Sequence, residues 1–121
     1  VLAFRVEIKR ARLREKLKAL PEDMRKSYKK SLREAVMAVR RDARELVPER
    51  TKALRRSIKF KVAKDGLSAI VRPTAYYGGF VEHGTESMEA QPYMRPAAEA
   101  ERKRFPGRIS ADLRAALKEY R

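Results

Sequence analysis

His83 is the only histidine in the chain. It stands between Glu82 and Gly84, with Thr85 and Glu86 close behind. An imidazole beside a carboxylate can do acid–base work, but adjacent residues reach one pocket only if a turn folds both toward it. A histidine–carboxylate metal centre needs more ligands than one histidine supplies. A turn or interface role for His83 therefore outweighs a catalytic one. Gly78-Gly79 and Gly84 do not make a phosphate loop, because no Gly-Lys-Ser/Thr follows them. They suit close backbone approach instead. Ser57 and Ser68 have no base at a recognisable spacing. The residues thus offer no catalytic group, no metal site and no cofactor or small-molecule site, and a nuclease or toxin activity is disfavoured.

Charge is the stronger chemical signal. The 121 residues carry 31 Lys and Arg against 16 Asp and Glu, a net charge of +15. Such an excess favours polyanionic or acidic partners. Most of it lies before Lys64, and Arg55, Arg56, Lys59, Lys61 and Lys64 form a candidate face for DNA or for an acidic protein. From Glu82 to Glu101 the sign reverses, with Glu82, Glu86, Glu89, Glu99 and Glu101 against Arg95 alone. A basic body with an acidic loop can pair subunit to subunit; the plainer alternative is a solvated surface. Tyr76, Tyr77, Phe80 and Tyr93 have faces that can stack on bases. They stand in the acidic stretch rather than the basic one, and no helix-turn-helix, zinc-finger or aromatic RNA-binding signature accompanies them. Buried anchoring of their own segment is the better reading.

The elements that must position these residues follow from periodicity. Phe4, Val6 and Ile8 alternate with charged residues and predict a short strand, and Leu13, Leu17 and Leu20 a helix, within residues 1–20. Pro21 with Glu22 and Asp23 marks a new helix start. Met24, Tyr28, Leu32, Ala35, Val39, Ala43 and Leu46 then form one apolar stripe over residues 22–47. That helix is roughly 40 Å long at 1.5 Å per residue. Ile58, Phe60 and Val62, the Asp65-Gly66 turn and the stretch from Leu67 to Arg72 predict a hairpin over 57–72. Its register puts Val62 opposite Ala69 and Phe60 opposite Val71, with Ile70 opposite Lys61 on the other face. After Pro96, residues 97–121 read as a helical region broken at Pro106-Gly107, with Ile109, Leu113, Ala116, Leu117 and Tyr120 on its final apolar stripe. The expected class is α+β: a long amphipathic helix on a small, mainly antiparallel sheet, with a C-terminal helix and a long irregular loop, in a single domain.

Residues 74–96 fit neither period. A long irregular segment in a small domain is functional or disordered, and this one is rich in aromatics and holds no low-complexity tract. It reads as an ordered docking segment. Its candidate interface residues are Tyr77, Phe80, Glu82, Gly84, Thr85, Gln91, Pro92, Tyr93, Met94 and Pro96, with Tyr93 and Met94 as apolar anchors. The chain has no cysteine, so no disulfide is expected. No apolar run approaches the roughly 20 residues of a membrane span, and the opening VLAFRVEIKRAR lacks the apolar core of a secretory leader.

The order of motifs resembles that of a phage tail-component family, the gene product ten-like proteins of the neck and tail gene cluster. The matching pieces are Val47-Pro48, Thr51, Leu54, Ser57-Ile58, Tyr77, Phe80-Val81-Glu82, Gly84-Thr85, Ala90-Gln91-Pro92-Tyr93-Met94 and Pro96-Ala97. They run through nearly the whole chain in the family's order. Lys52 stands where that family usually has glycine, Gly78 where it has alanine, and Tyr93-Met94 where it has Phe-Leu. The resemblance implies a non-enzymatic virion protein that completes the tail or joins it to the head connector. It also implies a ring subunit, with six copies as the working number. Its partners would be itself and other neck, connector or tail-tube proteins, in the virion and, during assembly, the host cytoplasm. Neither a membrane nor a small-molecule substrate is implied. A sequence-nonspecific nucleic-acid-binding module is the alternative.

Overall fold

The computed structural model describes residues 3–48 and 52–118, without the side chains of 116–118. Thr51 and Tyr120, and the side chains of Ala116 and Leu117, lie outside that description. The elements run β1 (Phe4–Val6), α1 (Ala11–Lys18), α2 (Glu22–Leu46), α3 (Lys52–Ser57), β2 (Ile58–Val62), β3 (Ala69–Pro73), α4 (Gly78–His83) and α5 (Met94–Lys118). The fold is α+β.

The three strands form an antiparallel sheet in the order β1-β3-β2. Val62 faces Ala69, Phe60 faces Val71 and Lys61 faces Ile70. A turn closed by Gly66 N–H to Ala63 C=O at 2.9 Å sets this register, and Gly66 takes a positive φ of 70°. The period of two then sends Phe4, Ile58, Ala69 and Val71 inward, all buried.

α2 lies across that inner face. Leu32, Val36, Val39 and Ala43 of α2 join Phe4, Val47, Leu54, Ile58, Val71, Tyr93 and Met94 in one buried cluster. The buried arc of α2 is wider than the apolar stripe read from the sequence, because α5 packs along a second side. Ser27, Ser31 and Ala38 are buried as well, whereas Leu46 at the helix end is 47% exposed. Ser31 Oγ donates to Asp112 Oδ2 of α5 at 2.7 Å.

The structure departs from the sequence reading at three places. α3, carrying Arg55 and Arg56, is a short helix that no periodicity announced. α5 begins at Met94, two residues before Pro96, and it passes through Pro106 without ending. A proline inside a helix removes one backbone bond and costs about 3 kcal/mol. Here the residues involved, Arg102 and Pro106, are both exposed, so water can satisfy the freed Arg102 carbonyl. Side-chain bonds hold both halves of α5 to α2: Arg104 to Asp42 at 3.3 Å before the proline, Asp112 to Ser31 after it. Lastly, residues 74–96 are not irregular throughout, since α4 and a small turn organise them.

Candidate interaction surfaces

The segment after β3 is tied down at each step. Thr74 donates through N–H (2.9 Å) and Oγ1 (3.0 Å) to the Ser57 carbonyl, fixing the exit from the sheet. α4 follows and stops at Gly84, whose φ is 79°. A Cβ at Gly84 would lie 2.8 Å from the Ala90 nitrogen and 3.0 Å from the Met88 oxygen. Only glycine fits both that φ and that approach. Thr85 and Met88 then exchange backbone bonds of 2.8 and 3.3 Å around a tight turn. The returning chain is stitched to α4 by Gln91 N–H to Val81 C=O at 2.8 Å.

Glu82 completes the arrangement. Its Oε1 accepts from Tyr93 N–H at 3.2 Å and Met94 N–H at 2.7 Å. These are among the orphan donors of the first turn of α5, and a carboxylate there also meets the positive end of the helix dipole. Tyr93 packs fully buried and donates its hydroxyl to Gly78 C=O at 3.0 Å. Burial pushes the Tyr93 phenol well above its ordinary range, with Glu82 and Tyr77 adding to the effect.

The ten candidate interface residues therefore divide. Glu82, Tyr93 and Met94 are buried in the chain's own core. They shape the segment and present almost no surface for a neighbour to touch. Tyr93 and Met94, expected as apolar anchors of an interface, anchor the chain's own fold instead, the buried role also expected for Tyr93. Nothing in the sequence distinguishes a tyrosine anchoring its own fold from one anchoring a partner. Tyr77, Gly84 and Gln91 are half-buried, and Phe80, Thr85, Pro92 and Pro96 are exposed. Tyr76 and Phe80 are 89% and 55% exposed, so of the four aromatics Tyr93 is the fully buried anchor. Tyr76 and Tyr77 meet edge-on at 5.3 Å.

The basic face is broader than the sequence suggested. Arg56, Lys59, Lys61 and Lys64 are exposed, while Arg55 is half-buried and donates to the Val47 carbonyl at 3.5 Å. The sheet brings Arg5 and Arg72 to the outer side of Lys59 and Lys61. Lys59 stands opposite Arg72, and Ile70 is flanked by Arg5 and Lys61. Pairing across strands decides this, so reading along the chain could not find it. Like charges directly opposite one another destabilise a sheet, yet among the described residues none of these cations has an ion-pair partner. A surface cleft of about 250 Å³ opens beside Arg5, Lys61 and Ile70, with Glu7 also on its wall. Among the described strand residues, none of the outward positions (Arg5, Lys59, Lys61, Ile70 and Arg72) is aromatic.

His83 is exposed at the rim of a cleft of about 360 Å³ that Glu82, Arg95, Glu99 and Arg102 also line. Glu82 Oε1 bonds to the start of α5. Among the described residues no three metal-ligating side chains converge, and no helix is long and apolar enough to cross a membrane.

A family model described as "Bacteriophage HK97-gp10, putative tail-component" matches residues 11–84, more than half of the chain. The matched span covers the long helix, the sheet hairpin and α4, and ends at the glycine that begins the tight turn. No curated protein and no solved structure matches the chain.

Proposed function

The chain belongs to the HK97-gp10-like family of bacteriophage tail components, and from that premise we propose that it is a non-enzymatic structural subunit at the phage neck or tail end. It completes the tail or joins it to the head connector, self-associating into a ring with six copies as the expected number. It resides in the virion, after assembly in the host cytoplasm. The observation that carries this reading is the pinned segment from Gly84 to Pro92. It is held at both ends by internal bonds while Thr85, Glu86, Glu89 and Pro92 face outward. A segment ordered before it meets a partner loses little entropy on docking. Deletion of this gene from the phage, with complementation by the wild-type chain as control, tests the role. We expect complete heads and tails that fail to join or mature, and fully infectious particles lacking the chain would refute it.

A second reading has its own support in the unpaired outer face of the sheet. Arg5, Lys59, Lys61 and Arg72 would suit the phosphates of nonspecifically bound DNA, as in a passage through a ring or in a separate nucleic-acid-binding module. Steeply salt-dependent binding to short duplexes, lost in Lys59→Glu/Lys61→Glu, would favour it. Salt-independent or absent binding would leave that face to an acidic protein.

A further inference from the structure

The five glutamates between Glu82 and Glu101 have separate fates. Glu82 starts α5, Glu99 pairs with Arg95 at 3.1 Å, and Glu101 is buried against Arg108. Glu86 and Glu89 remain. Both are exposed, on the Thr85–Met88 turn and its return, and neither has an ion-pair partner among the described residues.

A surface of opposite sign runs along the free edge of the sheet. β2 is an edge strand. On its helix side the Phe60 ring carries the Arg40 guanidinium at 4.5 Å and that of Arg33 at 5.9 Å. Arg44, one turn beyond Arg40, donates to the Ile58 carbonyl at 3.0 Å. Lys59 and Lys61 stand on the strand's other face. None of these five cations pairs with a carboxylate among the described residues. Burial and then the charges of Arg44 and Arg33 hold the Arg40 guanidinium below its usual range. Stacking on Phe60 and the bond to the strand keep arginines together that would otherwise repel, so the cluster is organised before any anion arrives. Cations on both sides of an edge strand also oppose its pairing with an identical edge. The surface therefore favours an acidic partner over its own copy in a symmetric contact.

We propose that Glu86 and Glu89 of one copy dock against the Arg33–Arg40–Phe60 edge of a second copy, with Lys59 and Lys61 flanking. This rests on the reading of the chain as a self-associating tail subunit. The two surfaces differ, so the contact is heterologous, and it closes a ring if the rotation closes. Exposed Phe80, on α4 just before the turn, supplies apolar area beside the ionic contact.

Charge exchange tests it. One variant is Glu86→Arg/Glu89→Arg and the other is Arg33→Glu/Arg40→Glu, each followed by sedimentation velocity across concentration and salt. The wild-type chain should associate in a salt-sensitive way. Each variant alone should need at least tenfold more protein to associate, and an equimolar mixture should regain association, because every contact between unlike variants again joins opposite charges. Rescue by mixing shows that both variants fold. Glu86→Gln/Glu89→Gln should weaken association in the same direction. A wild-type chain that stays monomeric, variants that associate normally, or a mixture that fails to recover would each overturn the inference. So would loss of duplex binding in Arg33→Glu/Arg40→Glu with association intact, which would give the edge to nucleic acid. Mass spectrometry of purified virions separates the two levels. Absence of the wild-type chain there refutes the tail role, whereas its presence with unaffected variants refutes only this contact.

Discussion

The carboxylate of Glu82 lies 2.7 Å from the backbone nitrogen of Met94, twelve residues on, and so α4 caps the helix that begins beyond the turn. The same oxygen takes the Tyr93 N–H. One side chain thereby links the end of the family-matched span to the start of α5. Removing it exposes two buried donors to loss of their partner. A charge-assisted bond of this kind contributes about 1.5–3 kcal/mol. Glu82→Ala should therefore lower unfolding stability by about 3 kcal/mol or somewhat more, by the same reasoning. Glu82→Gln, which keeps the acceptor but not the charge, should lose less. Urea unfolding gives the ordering, and faster hydrogen exchange at residues 85–93 would localise the effect.

Gly84→Ala tests the turn itself. The new Cβ would meet backbone atoms of Ala90 and Met88 rather than a flexible side chain, and alanine at φ 79° is strained in any case. A cost of about 1–3 kcal/mol is expected, and the turn bearing Glu86 should shift. Self-association should then weaken more than stability does. Equal loss in both would show that the turn serves the fold alone.

Much of this architecture was readable beforehand because local rules agreed with one another. The Asp65-Gly66 turn and the alternation on both sides of it named the same register that the strands adopt. The stripe from Leu32 to Ala43 marked the core face of α2. Pro106 misled because its cost was judged in isolation. The side-chain bonds on both sides of it depend on α2, about 60 to 80 residues away in sequence, as Arg104–Asp42 and Ser31–Asp112 show. In the candidate site, the order of the acidic segment was legible from its aromatics, but the direction its side chains take was not. Tyr93 and Phe80 are both aromatic residues of one segment, and the tertiary packing decides that Tyr93 joins the core while Phe80 stays exposed, the bond to Gly78 satisfying the buried hydroxyl.

Arg108 and Glu101 supply a third test. The Arg108 Nε and Nη2 both donate to the Glu101 carboxylate, which is fully buried. That bond is the chief reason the Arg108 guanidinium holds its proton more tightly than usual. Arg108→Ala would leave the buried carboxylate with only the longer contact to Arg104 at 3.9 Å, so a loss of about 3 kcal/mol is expected. Replacing both residues, as Glu101→Met/Arg108→Met, should recover most of it, since the pair's attraction mainly offsets its own desolvation. A double variant as weak as Arg108→Ala would show that the pair adds net stability of its own.

Tyr93 sets the alkaline limit. An unfolded tyrosine ionises near pH 10, roughly, whereas the buried phenol in the folded chain does so at a higher pH. The folded state thus binds the proton more tightly. Stability from this group is complete below about pH 10 and falls as pH rises toward the folded value, by up to about 1.4 kcal/mol per pH unit. Tyr28, also raised by burial, contributes in the same direction. Tyr93→Phe should cost about 1 kcal/mol at neutral pH through the lost bond to Gly78. It should also flatten, without abolishing, the decline above pH 10. Denaturant midpoints between pH 8 and pH 11 check both effects, and an alkaline limb of unchanged steepness would mean that the Tyr93 hydroxyl is open to solvent, contrary to its place beneath α4.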